Sequence, residues 1–419
     1  MRTLLSRFSI VYLALFCAAT QIAGSVFILP GASLPALGTV WPMRDLTLWL
    51  ARHVFGVARP LVYQGNSGDT IFHWVQSTWL VVLAIAGTAA WSVADRQHRH
   101  EASVRRWFRL FVRFALAAQM FYFGMAKIIP TQFPPPPLVT LVEPAGDLSL
   151  SAMLWTSIGA SPAYEIFTGT AEVIAGLLLL APRTTPLGAL VALADLILVF
   201  VLNMTYDIGL KLISCHLILL ALYLLAPDVR RLANVLVLDR PAPASTVPPL
   251  FASARANRRA LVAQLLFGGY LLAIFTSVSL HSWYAEGGGG GPRSALYGIW
   301  NVERLWVDEG LRPAVMNDYD RRWRRVIFDA PDVLILQRLD DSFAHYPVAI
   351  DVGERTLTLH KRNSRSWQAT FVYQSPAADR LVIDGRMDGH TIRAELQRVE
   401  FDTFRLLNSG FRWIHPVGD

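Results

Sequence analysis

The sequence predicts a polytopic α-helical membrane bundle of about seven spans, followed by an antiparallel β domain. Three observations predict it. Of 419 residues, 53% are hydrophobic and only 16% charged, against about 25% in soluble domains. Up to residue 280 the apolar residues gather in runs near the roughly 20 residues that cross a bilayer. Beyond residue 294 they fall instead into short alternating runs divided by turn residues, which is the pattern of antiparallel strands. The net charge of +7 does not point to nucleic acid. Residues 281–419 hold 18 basic and 19 acidic side chains, so the basic excess sits in residues 1–280 as +8. Only Cys17 and Cys215 occur, both in apolar runs, so no disulfide framework is expected.

The first apolar run, residues 8–29, reads as a retained helix. A cleaved signal peptide is the alternative, because residues 1–7 carry two Arg, but the run is long for a signal core. Residues 31–72 form a long loop. Within it 46–55 is short and amphipathic beside Trp41 and Trp49, either an interfacial helix or an ordinary loop helix. Further spans are expected at 73–94, 108–129, 165–181, 186–204, 211–226 and 260–280, seven in all with the first. With the N-terminus in the cytoplasm, the inner segments carry 13 Lys and Arg and the outer loops 4, and the loop 130–163 carries none. That asymmetry sets the N-terminus inside and the region after the seventh span outside, in a bacterium the periplasm. The expected organisation is 1–105, two spans and a long outer loop; 106–227, a four-helix membrane core; 228–258, a Pro- and Arg-rich cytoplasmic linker; 259–286, the last span; 287–293, a flexible tether built on five glycines; and 294–419, a periplasmic β domain.

Strands are expected at 295–303, 325–328, 333–338, 348–352, 356–361, 367–373, 381–386, 391–397 and 403–407. Asp351-Val352-Gly353, Asp384-Gly385 and Asp388-Gly389 supply turn signals. Tyr297-Gly298-Ile299-Trp300 on the first strand resembles the Gly-x-Trp signature of lipocalins. The resemblance implies a barrel closed at one end by Trp300 beneath an arginine from a late element, here Arg405 or Arg412.

Candidate chemistry centres on three apolar runs over residues 164–227. Glu172 lies in the first run and Asp195 in the second. The turn 182–185 is centred at 183.5, midway between them, so a tight hairpin puts both carboxylates at one depth. Acids inside a membrane are costly and usually functional, and two so close cannot easily both ionise. A proton relay or cation site follows; the bland reading is two neutral acids hydrogen-bonded to Thr, Tyr or backbone. Glu165, Thr168 and Glu172 share a helix face, and Gly169, Gly176, Ala171 and Ala175 allow close helix approach. His216 sits about one turn nearer the outside, either extending the carboxylate chain or held by a backbone carbonyl or Tyr. No His, Cys, Asp or Glu spacing matches a metal motif. Arg109, Arg113 and Lys127 bracket the third span and can snorkel to headgroups. Alternatively Gln119, Tyr122 and Lys127 face the bundle, where Lys127 can meet an anionic headgroup or a quinone carbonyl. No nucleophile elbow, P-loop or dinucleotide glycine motif is present.

These residues carry a second resemblance. RLFVRFALAAQMFYFGMAKII at 109–129, then TGTAEVIAGLLLLAPRTTPLGALVALADLILVFVLN at 168–203, resembles the DoxX family of small four-helix bacterial membrane proteins. The shared features are Gly124-x-x-Lys127, the acid-bearing Ala171–Leu179 stretch and the Arg183-Thr184 turn. The likeness covers residues 106–227, under a third of the chain. It implies association with membrane redox or sulfur metabolism, including quinone-linked oxidoreductase subunits. The extra spans and the outer β domain depart from the family, and the absence of a periplasmic Cys counts against a disulfide relay. The expected role is an accessory subunit in membrane redox or envelope physiology, with a quinone or lipid as ligand and redox proteins as partners. The rivals are a proton-coupled permease whose β domain takes a small lipophilic ligand, and a non-catalytic scaffold.

Overall fold

The structure is a computed structural model and describes residues 2–61, 63, 68–97, 100–245, 247–285, 289–315 and 322–408. Arg99, one of the inner-loop cations, and Arg412 lie outside the described residues. The chain divides into two compact units. One comprises Met1–Gln132 and Ala163–Leu280, the other Phe133–Pro162 and His281–Asp419.

The first unit is helical. Its elements in order are α1 (Arg2–Ala19), α2 (Gln21–Val26), α3 (Met43–His53), α4 (Ile71–Ala94) and α5 (Glu101–Ile128). After a short helix of the other unit, α6 (Leu150–Gly159), come α7 (Pro162–Leu179), α8 (Thr185–Thr205), α9 (Lys211–Leu225), α10 (Val229–Leu236) and α11 (Ala254–Ala285). Pro182 stops α7, because a proline inside a helix loses a bond and clashes with the preceding turn. Pro186, at the start of α8, is where the missing N–H costs nothing. Among the described residues, four stretches are long and apolar enough to cross a bilayer: Ile71–Ala94, Thr185–Thr205, Lys211–Leu236 and Ala254–Ala285. The chain is a membrane protein on that ground. The expected first span is not continuous. Thr20 is extended (φ −110°, ψ 178°), and its hydroxyl donates to the Phe16 carbonyl at 2.8 Å, so the run breaks into α1 and α2. The expected amphipathic loop helix is α3, with Trp49 54% exposed.

The second unit is built on an up-and-down antiparallel barrel. Its strands are β1 (Gly298–Val307), β2 (Gly310–Leu311), β3 (Trp323–Phe328), β4 (Val333–Arg338), β5 (Phe343–Asp351), β6 (Thr356–Lys361), β7 (Ser364–Ala377), β8 (Arg380–Met387) and β9 (His390–Arg398). Neighbours pair in sequence, and β9 pairs back onto β1 from Trp300↔Arg398 to Val307↔Ile392, so eight strands close and β2 is a two-residue spur on β1. Closure leaves no free edge on β1. That is why residues 403–407, expected as a strand, instead form a 3-10 turn, Phe401–Thr403, and a short helix, α12 (Arg405–Asn408). Asp388 and Gly389 have φ of 52° and 86° and form the two-residue β8–β9 hairpin, the geometry that Asp-Gly favours. Asp384-Gly385, expected as a turn, lies inside β8. There a Cβ on Gly385 would strike the Thr370 carbonyl and Phe371 of β7, so the glycine serves strand approach rather than a turn.

Alternation sends Trp300, Val326, Phe328, Leu336, Phe371 and Ile383 into one packed interior cluster. On the outer wall Ile299, Ile327 and Ile335 are also buried, under Leu138, Val139, Leu141 and Val142. That cover comes from the segment between α5 and α7, the loop without Lys or Arg. The Leu138 amide donates to Asp329 Oδ2 at 2.9 Å, and Gln337 Nε2 donates to the Val142 carbonyl at 3.3 Å. Of the glycine run, 287 and 288 lie outside the described residues, while Gly289 and Gly290 pack against the Trp283 indole.

Candidate functional site

The site begins with two glycines. Helices α5 and α7 cross where Gly124 meets Gly169. A Cβ on Gly169 would lie 2.6 Å from the Gly124 carbonyl oxygen and 2.6 Å from Lys127 Cβ. A Cβ on Gly124 would lie 3.1 Å from Glu172 Cβ. Each charged residue thus stands three positions after its own glycine and level with the other helix's glycine. Side chains on a helix lean toward its N-terminus. Lys127 and Glu172 therefore lean toward each other across the crossing. Lys127 Nζ donates to Glu172 Oε1 at 2.7 Å and Oε2 at 2.8 Å. Both residues are buried, Lys127 at 7% exposure and Glu172 at 2%.

Asp195 of α8 is the third member. It lies beside Glu172 and in the field of Lys127. Its Oδ2 is buried without a hydrogen-bond partner among the described residues. Two neighbouring carboxyl groups cannot easily both ionise, so the pair is best served by one shared proton. With that proton, one negative charge faces one ammonium and the triad is neutral. Burying such a pair costs several kcal/mol per ion before the attraction repays it, so the arrangement is tolerable only while the balance holds.

The other sequence candidates do not join this centre. His216 of α9 sits against α1. Its Nδ1 is 2.7 Å from the Leu212 carbonyl, which only accepts, so Nδ1 carries the proton. Nε2 then accepts from the Tyr12 hydroxyl at 2.8 Å, and the ring stacks on Phe16 with centroids 3.4 Å apart. The backbone-and-tyrosine reading of His216 is the one the structure realises, and no carboxylate chain runs through it. Gln119, Tyr122 and Lys127 face three different neighbours. Gln119 Nε2 donates to Ser25 of α2 at 2.9 Å, with Oε1 buried and without a partner among the described residues. Tyr122 packs edge-on against Phe275 of α11 at 5.7 Å. Glu165 is buried at the start of α7.

Arg109 and Arg113 do not snorkel. Arg113 donates to the carbonyls of Leu179 (3.0 Å) and Leu180 (2.6 Å) and to Gln264 of α11 (3.1 Å). Arg109 donates to the Leu224 carbonyl at 2.6 Å and faces Asp228 at 3.8 Å. Each guanidinium satisfies the unpaired carbonyls at a helix C-terminus, where a cation also suits the dipole. Sequence reasoning missed these caps. Their signal is two arginines four apart on a helix that is apolar after them.

In the barrel, Trp300 is buried and its Nε1 donates to the Leu296 carbonyl at 3.0 Å. The arginine in register with it is Arg398 of β9, not Arg405, which is exposed on α12 because the chain has already left the barrel. Gly298 is required here. Its φ is 152°, and a Cβ would stand 3.1 Å from Arg398 Nε and 3.4 Å from Trp300 Nε1. An open cleft of about 370 Å³ lies on the outer wall, lined by Trp306, Glu309, Asp384, Thr391, Arg393 and Glu395.

An apolar helical unit with a buried, charge-balanced polar centre, joined to a chain segment that closes an eight-stranded barrel, defines a membrane protein with an appended β domain. The chain is 34% identical over 133 residues to Uncharacterized protein YwoB of Bacillus subtilis (strain 168), a match spanning 32% of this chain and 82% of that protein, and it belongs to the same family. No family profile matches the chain. No solved structure matches it.

Proposed function

We propose that the chain is a bacterial inner-membrane protein of the DoxX type, an accessory subunit in membrane redox or envelope physiology. In this reading Lys127, Glu172 and Asp195 form its ligand centre, and the ligand is a quinone or a lipid headgroup. The observation that carries the reading is the buried Asp195 Oδ2, without a hydrogen-bond partner among the described residues, beside a buried Lys–Glu pair. An unpaired buried acceptor costs about 1–3 kcal/mol. A hydroxyl donor relieves that cost, and the neighbouring ammonium receives a carbonyl. A quinol and its quinone supply those two groups in turn.

The topology of this reading has the N-terminus inside and the barrel in the periplasm. The segment Phe133–Pro162 packs on the barrel wall and in this reading shares the barrel's compartment. α8, the α9 stretch and α11 are long enough to cross, and in this reading α7 with its Glu172 adds a further crossing.

The test is mass spectrometry of quinone and phospholipid retained by the protein in mild detergent. Wild type retains an isoprenoid quinone or a defined lipid near one per chain. Asp195→Asn and Glu172→Gln retain at least tenfold less. Equal retention in all three contradicts the proposal. A second reading, in which the triad only fastens α5 to α7, is favoured by the Gly124–Gly169 crossing. It predicts loss of stability with no change in bound ligand.

A further inference from the structure

The helical unit carries an apolar, basic element that none of the preceding roles uses. Helix α10 follows α9 after a 3-10 turn, Ala226–Asp228, and Pro227 breaks the run there. Within ten residues five large apolar side chains are exposed: Val229 at 57%, Val235 at 57%, Leu236 at 69%, Val237 at 78% and Leu238 at 49%. Val229, Leu232, Ala233 and Leu236 fall on one face at helical spacing, and Arg230, Arg231 and Asn234 on the other. Leu232 packs on the bundle core. Asp228 is buried and paired with Arg231 at 2.6 Å and with Arg109 at 3.8 Å, which fixes the angle at which α10 leaves α9.

Charge gathers at the same end. Residues 228–259 contain Arg230, Arg231, Arg240, Arg255, Arg258 and Arg259 against only Asp228 and Asp239, a net +4. Arg230, Arg240, Arg255, Arg258 and Arg259 are exposed. Trp107 of α5, 51% exposed, meets Phe251 edge-on at 6.1 Å, an aromatic pair of the kind found at headgroup level. A short helix with an apolar face, a basic face and flanking aromatics lies in a membrane interface, and its cations favour anionic lipid.

We propose that α10 and the residues after it, to Leu238, lie in the headgroup layer of one leaflet, with Arg230, Arg240 and the arginines opening α11 holding anionic phospholipid. The occupant is the leaflet that already surrounds α9 and α11, so the surface continues the bilayer-facing one. The face is apolar enough to enter acyl chains and too basic to cross them.

Spin-label depth measurement on the full chain tests this. A label is attached to Leu236→Cys in a Cys17→Ala/Cys215→Ser background, reconstituted in vesicles of phosphatidylcholine alone or with 30% phosphatidylglycerol. With phosphatidylglycerol, the label is reached by oxygen and not by an aqueous nickel chelate. That protection falls at least threefold without the anionic lipid or in Arg230→Gln/Arg240→Gln/Arg255→Gln. A label at Ser245 reads water throughout. Val235→Cys gives a second reading should Leu236→Cys perturb folding. A label at both positions that reads water in every vesicle overturns the interfacial placement. Equal protection with and without phosphatidylglycerol overturns the anionic-lipid assignment.

Discussion

Replacing Lys127 by Met removes the ammonium and leaves its shape. Glu172 and Asp195 then share one proton and one uncompensated negative charge inside the helical unit, with both Lys127 bonds, 2.7 and 2.8 Å, lost. Breaking a buried pair by deleting one partner costs about 3–5 kcal/mol. Glu172→Leu leaves Lys127 buried without its carboxylate and falls in the same range. The double variant, Lys127→Met/Glu172→Leu, removes both charges and refills the space with apolar atoms. Such replacements are often neutral or stabilising by about 1–4 kcal/mol. The single losses therefore do not add, and a double-mutant cycle returns a coupling energy of several kcal/mol. Reversible unfolding in bicelles, followed by steric trapping, measures all four proteins. Single losses below about 1 kcal/mol that simply add would refute the buried, coupled pair.

Gly169→Ala puts a Cβ 2.6 Å from the Gly124 carbonyl oxygen and Lys127 Cβ. Separating the helices to relieve it costs about 1–3 kcal/mol, read as a lower unfolding midpoint and a weaker disulfide cross-link between cysteines placed on α5 and α7. Tyr12→Phe leaves His216 Nε2 without its donor and costs about 1–3 kcal/mol, whereas quinone retention stays unchanged because His216 is outside the triad. In the barrel, His390 and the Thr391 amide hold the Asp308 carboxyl below its usual range. A depressed acid stabilises fully above its unfolded pKa, about 3.9, and loses that contribution as pH falls through its folded pKa. Asp308→Asn therefore lowers the barrel's stability at pH 7 and flattens its acid limb below about pH 4, where variant and wild type converge, as tryptophan fluorescence against pH would record.

Much of the architecture was legible because it rests on periodicity. Strands β4 and β6 begin and end where alternation puts them, and Asp388-Gly389 turns where its backbone preference requires. What was not legible depends on closure and contact. Residues 403–407 alternate like a strand, but β1 already has a partner on each edge. Arg398 rather than Arg405 neighbours Trp300 for the same reason, since register and not order along the chain decides it. At the site, the equal spacing of Glu172 and Asp195 about their turn marks those two acids. The lysine that neutralises them sits at the end of its apolar run, where sequence alone leaves snorkelling and a bundle-facing side chain both open. Gly124-x-x-Lys127 and Gly169-x-x-Glu172 are mirror signals of one crossing, and their identical offset marks the pair. Helix α10 falls inside the expected linker 228–258 because Arg230 and Arg231 mask an apolar face that exists only once the helix restarts after Pro227.

The most direct measurement is a high-resolution electron cryomicroscopy map of the protein in native-lipid nanodiscs, inspected at Asp195. The account predicts non-protein density with a polar atom within hydrogen-bond distance of Asp195 Oδ2, beside a closed Lys127–Glu172 pair, and its disappearance in Asp195→Asn. A map in which Asp195 is sealed by protein and apolar lipid tails, with the pair intact and no polar ligand atom near it, would contradict the ligand centre and leave the triad as a fastening between helices.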